Sequence, residues 1–143
     1  LGAGGANVAA DAANSLIFGY AVGLDLTRRD IQARAKEKSH PWDMAKGFDQ
    51  SAVAGVIQPA AQIGHPAGGR IWLTVNGELR QQGNLADMLW KIPEIIAKLS
   101  TLVRLEAGDL IYTGTPAGVG PLLRGDVLEA GVAGVGTLHA RIV

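Results

Sequence analysis

The chain lacks cysteine altogether among its 143 residues. This absence excludes disulfides, thiolate metal sites and cysteine nucleophiles within the sequence. The chain also lacks an excess of either charge, because 13 basic residues balance 13 acidic ones. Nucleic-acid and membrane surfaces are normally bound through a basic excess. We therefore expect no nucleic acid and no membrane as partner, and a small molecule or another protein instead.

Long hydrophobic runs are missing as well. No apolar stretch approaches the roughly 18 residues that span a bilayer. The first residues do not show the basic and then apolar layout of a secretory signal. We therefore expect a soluble protein of the cytoplasm. A chain of this length suffices for one domain with a core and is too short for two ordinary domains.

Glycine, by contrast, is abundant, with 20 residues, about twice the usual share. Such a share is typical of many turns and strands, so we expect a fold rich in sheet. Arg70–Val75 and Glu78–Gly83 are predicted to form a hairpin, because the Asn76-Gly77 pair between them is the strongest short hairpin signal. Residues 125–143 predict two closing strands.

The other elements are predicted from hydrophobic periodicity and from capping residues. Thr27 is the expected N-cap of a helix that begins with the two following arginines. Asn84 is the expected N-cap of an amphipathic helix that reaches about Leu99, with a kink at Pro93. The remaining predictions are a short helix around Val8–Asn14, a buried strand over 15–26, a long loop over 39–51 and a strand then glycine-rich loop over 108–121.

Two charged residues stand out as candidates for a site. Asp25 ends an apolar run, where a buried carboxylate needs a cation or hydrogen-bond donors. It is either an exposed strand-end or capping residue, or a ligand of a hard cation such as Mg²⁺. Lys46 is either a solvated lysine or an oriented ammonium that binds an anion or polarises a carbonyl. The three histidines show no metal-ligand spacing, so no histidine-bound metal is expected.

The stretch "TGTPAGVGP" is a further candidate, as a substrate-binding loop. Its glycines, Gly114 among them, allow backbone conformations that side chains forbid, and Thr113 and Thr115 add hydroxyls beside the exposed amides. Such a loop after a strand can hold a carboxylate or an oxyanion. The alternative is a glycine-rich connection that merely turns.

Four stretches together resemble the fumarylacetoacetate hydrolase family. They are "GLDLTRRDIQ", "PWDMAKGFD", "LTVNGELRQQG" and "DLIYTGTPAGVGP", in the family's order and spacing. The resemblance covers about residues 10–143 and is greatest to the bacterial branch with fumarylpyruvate and acylpyruvate hydrolases. It implies an α+β, mostly β fold, a mixed β-sandwich roll, and a homodimer.

The resemblance also implies an activity and roles for single residues. The family cleaves a carbon–carbon bond in β-diketo acids, with Mg²⁺ or Mn²⁺ as a Lewis acid that chelates the 2-oxo acid. Asp25 matches the metal-binding aspartate, and Arg29 and Gln32 match substrate contacts. Lys46 matches the lysine near the metal, as a catalytic and substrate-binding residue, and Thr115 matches the threonine that holds substrate oxygens. The family usually has a small residue at the position of Arg28, so that side chain is expected to be solvated or local to this branch.

The chain departs from the family pattern at its front. The Glu-x-Glu metal ligands and the His-Glu pair that activates water lie upstream of the aspartate in the family, and neither is present here. One carboxylate alone is a poor Mg²⁺ site. We therefore expect residues 1–143 to be a C-terminal catalytic domain, incomplete at its N-terminus, of a longer polypeptide.

Two classes of function remain open from the sequence. The first is a metal-dependent hydrolase of fumarylpyruvate or another acylpyruvate in aromatic-acid breakdown, or an oxaloacetate decarboxylase or hydroxymuconate-type isomerase or decarboxylase with the same chemistry. The second is a non-catalytic binding or assembly module on the same scaffold. Turnover of a 2-oxo acid would discriminate between them.

Overall fold

Short strands dominate the structure, a computed structural model that describes residues 1–143. Strands β1 to β8 span Gly19–Tyr20, Gly23–Asp25, Ala52–Ala54, Gln58–Pro59, Arg70–Val75, Glu78–Asn84, Val127–Val132 and Gly136–Arg141. Helices α1 to α4 span Arg29–Glu37, Asp43–Lys46, Ala60–Ile63 and Ile92–Ser100. Two 3-10 helices lie at Ala13–Leu16 and Leu85–Asp87. The predicted α+β, mostly β fold is confirmed.

The strands form three antiparallel sheets. The largest has the order β6-β5-β7-β8, and two smaller ones pair β1 with β4 and β2 with β3. The main core lies between the four-stranded sheet and β2, where Leu24 packs with Val75 and Leu128. A second cluster joins Ile96 of α4 to Ala13 and Leu105. The core therefore connects the sheet to the strand that carries Asp25.

The β5–β6 hairpin forms where the sequence predicts it. Asn76 and Gly77 both have positive φ, 53° and 83°, as a tight two-residue hairpin turn requires. The pairing slips inside the hairpin, because Thr74 faces Leu79 whereas Leu73 faces Gln81. Strand β6 thus contains an unpaired extra residue, Arg80, which the sequence does not predict.

The N-terminal half differs from the sequence prediction in several places. The predicted helix around Val8–Asn14 is only a 3-10 turn at Ala13–Leu16. The predicted strand over 15–26 is two strands, because β1 and β2 pair with different partners. Thr27 does not cap α1, since the N-cap position is Arg28 and it has no side-chain cap. The Arg28 backbone N–H instead donates to the Ala45 carbonyl, which joins the start of α1 to α2.

The predicted long helix after Asn84 is divided as well. Asn84 caps the 3-10 helix Leu85–Asp87, and α4 begins only at Ile92. Pro93 lies in the first turn of α4, where its missing N–H costs nothing, and so it produces no kink. Leu89, which would lie on the buried apolar side of the predicted amphipathic helix, is 97% exposed in the connection. No helix in the chain combines the length and the apolar character needed to cross a membrane.

A hydrogen-bond cluster joins the hairpin turn to the start of β7. The Asn76 amide donates to Asp126 Oδ1 (2.9 Å), and the Leu123 backbone N–H donates to Asp126 Oδ2 (2.7 Å). These donors, the Leu123 N–H first, lower the pKa of Asp126 below the ordinary aspartate value of 3.8. Because the pKa is lower in the folded protein, the ionised Asp126 stabilises the fold at pH values above 3.8. This contribution is lost as pH falls through the lowered pKa of the folded state.

We expect Asp126→Asn to lower the melting temperature of the complete protein at pH 7. The difference from the unsubstituted protein should shrink as pH falls below 3.8, because the native carboxylate then becomes protonated. Thermal unfolding followed by circular dichroism between pH 7 and pH 2.5 measures this. Asp11→Asn is the control, since Asp11 makes no side-chain hydrogen bond or ion pair. A constant difference at all pH values would contradict the prediction.

Candidate active site

Asp25 ends strand β2 at the edge of the main core. Because side chains alternate along a strand, Leu24 points into the core while Gly23 and Asp25 share the opposite face. The Asp25 side chain remains 39% exposed. The carboxylate is thus not strongly desolvated, and water already compensates part of its charge.

The Lys46 ammonium compensates the rest of the negative charge of Asp25. Its Nζ donates to Asp25 Oδ2 at 2.6 Å, across 21 residues of sequence. Helix α2 places the lysine, although the sequence predicts a loop there. Asp25 Oδ1 accepts no hydrogen bond and stays available to a ligand. The structure therefore brings these two predicted residues together, with the lysine in the role of counter-ion.

Arg29 and Gln32 lie one turn apart on α1. The Arg29 Nη1 donates to Gln32 Oε1 at 3.2 Å, and Gln32 is only 7% exposed. The buried amide thus restrains an exposed guanidinium at the start of the helix. The adjacent Arg28, expected to be solvated, stacks on the ring of Phe48 at 4.6 Å.

Tyr112 contacts the strand pair that carries Asp25 and was not singled out from the sequence. Its hydroxyl donates to the Val53 carbonyl (3.1 Å), and its ring covers Gly23, where a methyl group would lie only 2.7 Å from the ring. Burial first, and the negative charge of Asp25 second, raise the pKa of the phenol. Tyr112 therefore lies beside the carboxylate, on the face where Gly23 has no side chain.

Residues 108–121 form no strand or helix, so the strand predicted at the start of this stretch is absent. Gly114 has a φ of 127° with no atom near its Cβ position. Gly118 has a φ of 99° and packs against β6, where an added Cβ would lie 2.0 Å from the Arg80 carbonyl oxygen. Gly114 is required only because a side chain disfavours its φ. Gly118 is required for the same reason, and also because a side chain would clash with β6.

One cavity of about 830 Å³ connects these parts. It is lined by Asp25, Arg29, Gly114 and Thr115, and also by Arg28 and Arg80. Lys46 and Gln32 do not line the cavity. They instead bond Asp25 and Arg29, whose side chains do line it. Two further aspartates, Asp30 and Asp109, also line the wall. Because Asp25 is paired with Lys46 and Asp30 with Arg34, the three arginines are opposed by Asp109 alone. The cavity is therefore suited to an anionic ligand such as a carboxylate.

The donor set fits only one ligand of a divalent-cation site. Asp25 offers a hard carboxylate oxygen of the kind that Mg²⁺ and Mn²⁺ prefer. The chain contains no group of three or more His, Cys, Asp or Glu side chains that could hold a metal ion. Residues 1–143 therefore do not form a complete metal site by themselves.

The comparisons with known proteins agree on one family. The model of the fumarylacetoacetate (FAA) hydrolase C-terminal region matches residues 1–143. The mitochondrial oxaloacetate tautomerase of Mus musculus is 44% identical over 142 residues, which are 99% of this chain and 64% of that protein. The fumarylpyruvate hydrolase of a Ralstonia species is 44% identical over 142 residues, which are 99% of this chain and 73% of that protein.

A solved structure shows the same fold. The fumarylpyruvate hydrolase of Pseudomonas aeruginosa, in complex with Mn²⁺ and pyruvate, has a TM-score of 0.96 and 43% identity. The match covers 100% of this chain and 61% of that one. The chain thus spans less than two thirds of the length of this protein and of the mouse relative.

We expect Gly118→Ala to destabilise the complete protein by about 2 kcal/mol or more, because the methyl group adds a backbone clash to a strained φ. Gly120→Ala is the matched control, since Gly120 has no neighbour within 4 Å of its Cβ position and no positive φ. Urea unfolding of both variants measures the difference. Equal stability of the two would contradict the contact between the loop and β6.

Proposed function

Because the chain belongs to the fumarylacetoacetate hydrolase family, we propose that the complete protein is a metal-dependent hydrolase of β-diketo acids. It cleaves a carbon–carbon bond in fumarylpyruvate or another acylpyruvate. The observation that carries the proposal is the Asp25–Lys46 pair at a cavity shared with Arg29, Gly114 and Thr115. These groups match the needs of a 2-oxo acid, which presents a carboxylate and an adjacent carbonyl.

Each residue has a role that its geometry allows. Asp25 Oδ1, which accepts no hydrogen bond, is the metal ligand that this chain contributes. Arg29, restrained by Gln32, binds the substrate carboxylate as a planar donor. The Thr115 hydroxyl and the Gly114 amide donate to the oxygens of the 2-oxo acid. A bound divalent cation supplies Lewis-acid polarisation of the substrate.

Lys46 acts on charge that develops during cleavage. When the carbon–carbon bond breaks, the pyruvate fragment leaves with the bonding electron pair, and negative charge grows on its oxygens. The ammonium, fixed 2.6 Å from Asp25, is a preorganised positive charge beside that position. None of the three histidines lines the cavity, so activation of the attacking water is not assigned to a residue of this chain.

Several finer statements belong to the same proposal. The cofactor is Mn²⁺ or Mg²⁺, and Mn²⁺ is supported by the Pseudomonas aeruginosa complex. Homodimer formation, a cytoplasmic location and a place in aromatic-acid breakdown stay predictions from the sequence.

Oxaloacetate is the second candidate substrate, because the mouse relative is an oxaloacetate tautomerase. Oxaloacetate carries the same 2-oxo acid group, so the same residues would bind it. The reaction would differ from hydrolysis in the bond that changes. It would be a tautomerisation or decarboxylation of oxaloacetate, or a hydroxymuconate-type isomerisation or decarboxylation. A non-catalytic binding module is the candidate of another class.

We expect the complete protein to consume fumarylpyruvate or acetylpyruvate in the presence of Mn²⁺ or Mg²⁺, and a chelator to abolish the reaction. Ultraviolet absorbance follows the diketo acid, and chromatography identifies pyruvate as the product. Asp25→Asn should lose the metal-dependent rate, whereas Asp11→Asn, at an exposed residue that does not line the cavity, should keep it. Turnover of oxaloacetate alone would favour the second candidate, and no turnover of any of these acids would favour the binding module.

We expect Lys46→Met to lower kcat by about 10²-fold or more, the usual cost of a lost preorganised charge donor. Stability should change by less than about 1 kcal/mol, because the pair with Asp25 is more than one-third exposed. Lys36→Met is the matched control, since Lys36 lies over the Trp42 ring and pairs with no carboxylate of the cavity wall. A kcat equal to that of the control would contradict a catalytic role for Lys46.

A further inference from the structure

The Gly114–Thr115 segment is fastened at its N-terminal side by Tyr112. The Tyr112 hydroxyl donates to the Val53 carbonyl of β3 at 3.1 Å. Val53 pairs with Leu24, and the next residue pair along the ladder is Ala52 with Asp25. The tyrosine thus attaches the start of the loop one residue pair away from the carboxylate.

The C-terminal side of the same segment is fastened by Gln81. Its Nε2 donates to the Pro116 carbonyl at 2.8 Å. Gln81 follows Arg80, the extra residue of the bulge in β6, and bulges commonly redirect a side chain. The close contact of Gly118 with the Arg80 carbonyl lies just beyond this bond.

Between these two bonds, Thr113, Gly114 and Thr115 form an arch without support from secondary structure. All three are exposed, and their backbone N–H groups donate to no acceptor in the chain. Free amides with a threonine hydroxyl beside them can receive an anionic oxygen. The position of these donors therefore depends on the two ends of the arch.

We infer that Tyr112 and Gln81 are positioning residues, which hold the arch at a fixed place relative to Asp25 so that both contact one ligand. The inference rests on the proposed function and extends it to two residues of the cavity wall, which act through the arch that they hold. Tyr112 is 38% exposed, and Gln81 lies on the edge strand β6. Neither residue belongs to a core cluster, so their hydrogen bonds serve the loop more than the core.

Near-isosteric substitutions in the complete protein test this. Tyr112→Phe removes one hydroxyl and keeps the ring over Gly23, and Gln81→Met removes the amide donor. The matched controls are Thr101→Val, which removes a hydroxyl that donates to the Lys98 carbonyl away from the cavity, and Gln82→Met. Gln82 follows Gln81 on β6, and its side chain accepts from Arg70 of β5.

The expected result has two independent parts. Thermolysin cleavage before Val119 in the native protein should be about fivefold faster in each anchor variant, the equivalent of one lost hydrogen bond. The KM for acetylpyruvate and the Kd for pyruvate with Mn²⁺ should rise by about fivefold, while kcat and the Kd for Mn²⁺ change by less than about twofold. Both controls should match the unsubstituted protein in every measurement.

Cleavage rates equal to those of the controls would overturn the inference, whatever reaction the protein catalyses. Faster cleavage with unchanged KM and pyruvate affinity would overturn the positioning role as well. Failure of the proposed function has a different signature, because the unsubstituted protein would then neither hydrolyse acetylpyruvate nor bind pyruvate with Mn²⁺. In that case the inference is overturned together with the proposed function.

Discussion

The register of the short β2–β3 ladder is the constraint on which the candidate site depends. With Leu24 facing Val53, alternation along β2 sends Leu24 into the main core and leaves Asp25 on the open face. A slip by one residue would bury the carboxylate and expose the leucine. The same register gives Tyr112 its acceptor and leaves room for its ring over Gly23. Hydrophobic burial therefore fixes the position of a charged group.

The electrostatics of the site favour function over stability. Asp25 and Lys46 are each more than one-third exposed, and exposed pairs contribute about 0–1 kcal/mol. The pair nonetheless holds the Lys46 ammonium beside Asp25 Oδ1, which accepts no hydrogen bond. An anionic ligand that displaces water from the cavity would strengthen every charge interaction there, because the local dielectric falls. A weak structural interaction can thus become a strong one when ligand binds.

A structural feature can be predicted from the sequence when the residues that cause it are neighbours along the chain. The Asn76-Gly77 turn and the flanking strands follow from neighbouring residues and are confirmed. The division of the predicted strand at 15–26 could not be foreseen, because it results from two partner strands whose paired residues lie 27 to 40 positions away along the chain. Asp25, Lys46 and Thr115 are predicted as site residues from the motifs that carry them, and these roles stay predictions. Tyr112 and Gln81 were missed, because a side-chain bond to a distant carbonyl leaves no periodic signal.

The loop that carries Thr115 also covers an edge of the main sheet. Strand β6 is the outer strand, and an exposed edge offers unpaired backbone groups to other chains. The Arg80 bulge, the bond from Gln81 to Pro116 and the packing of Gly118 place the loop against that edge. The contact that protects the edge is therefore the contact that sets the position of the arch. A substitution at Gln81 or Gly118 would therefore change both the cover of the sheet edge and the position of the arch.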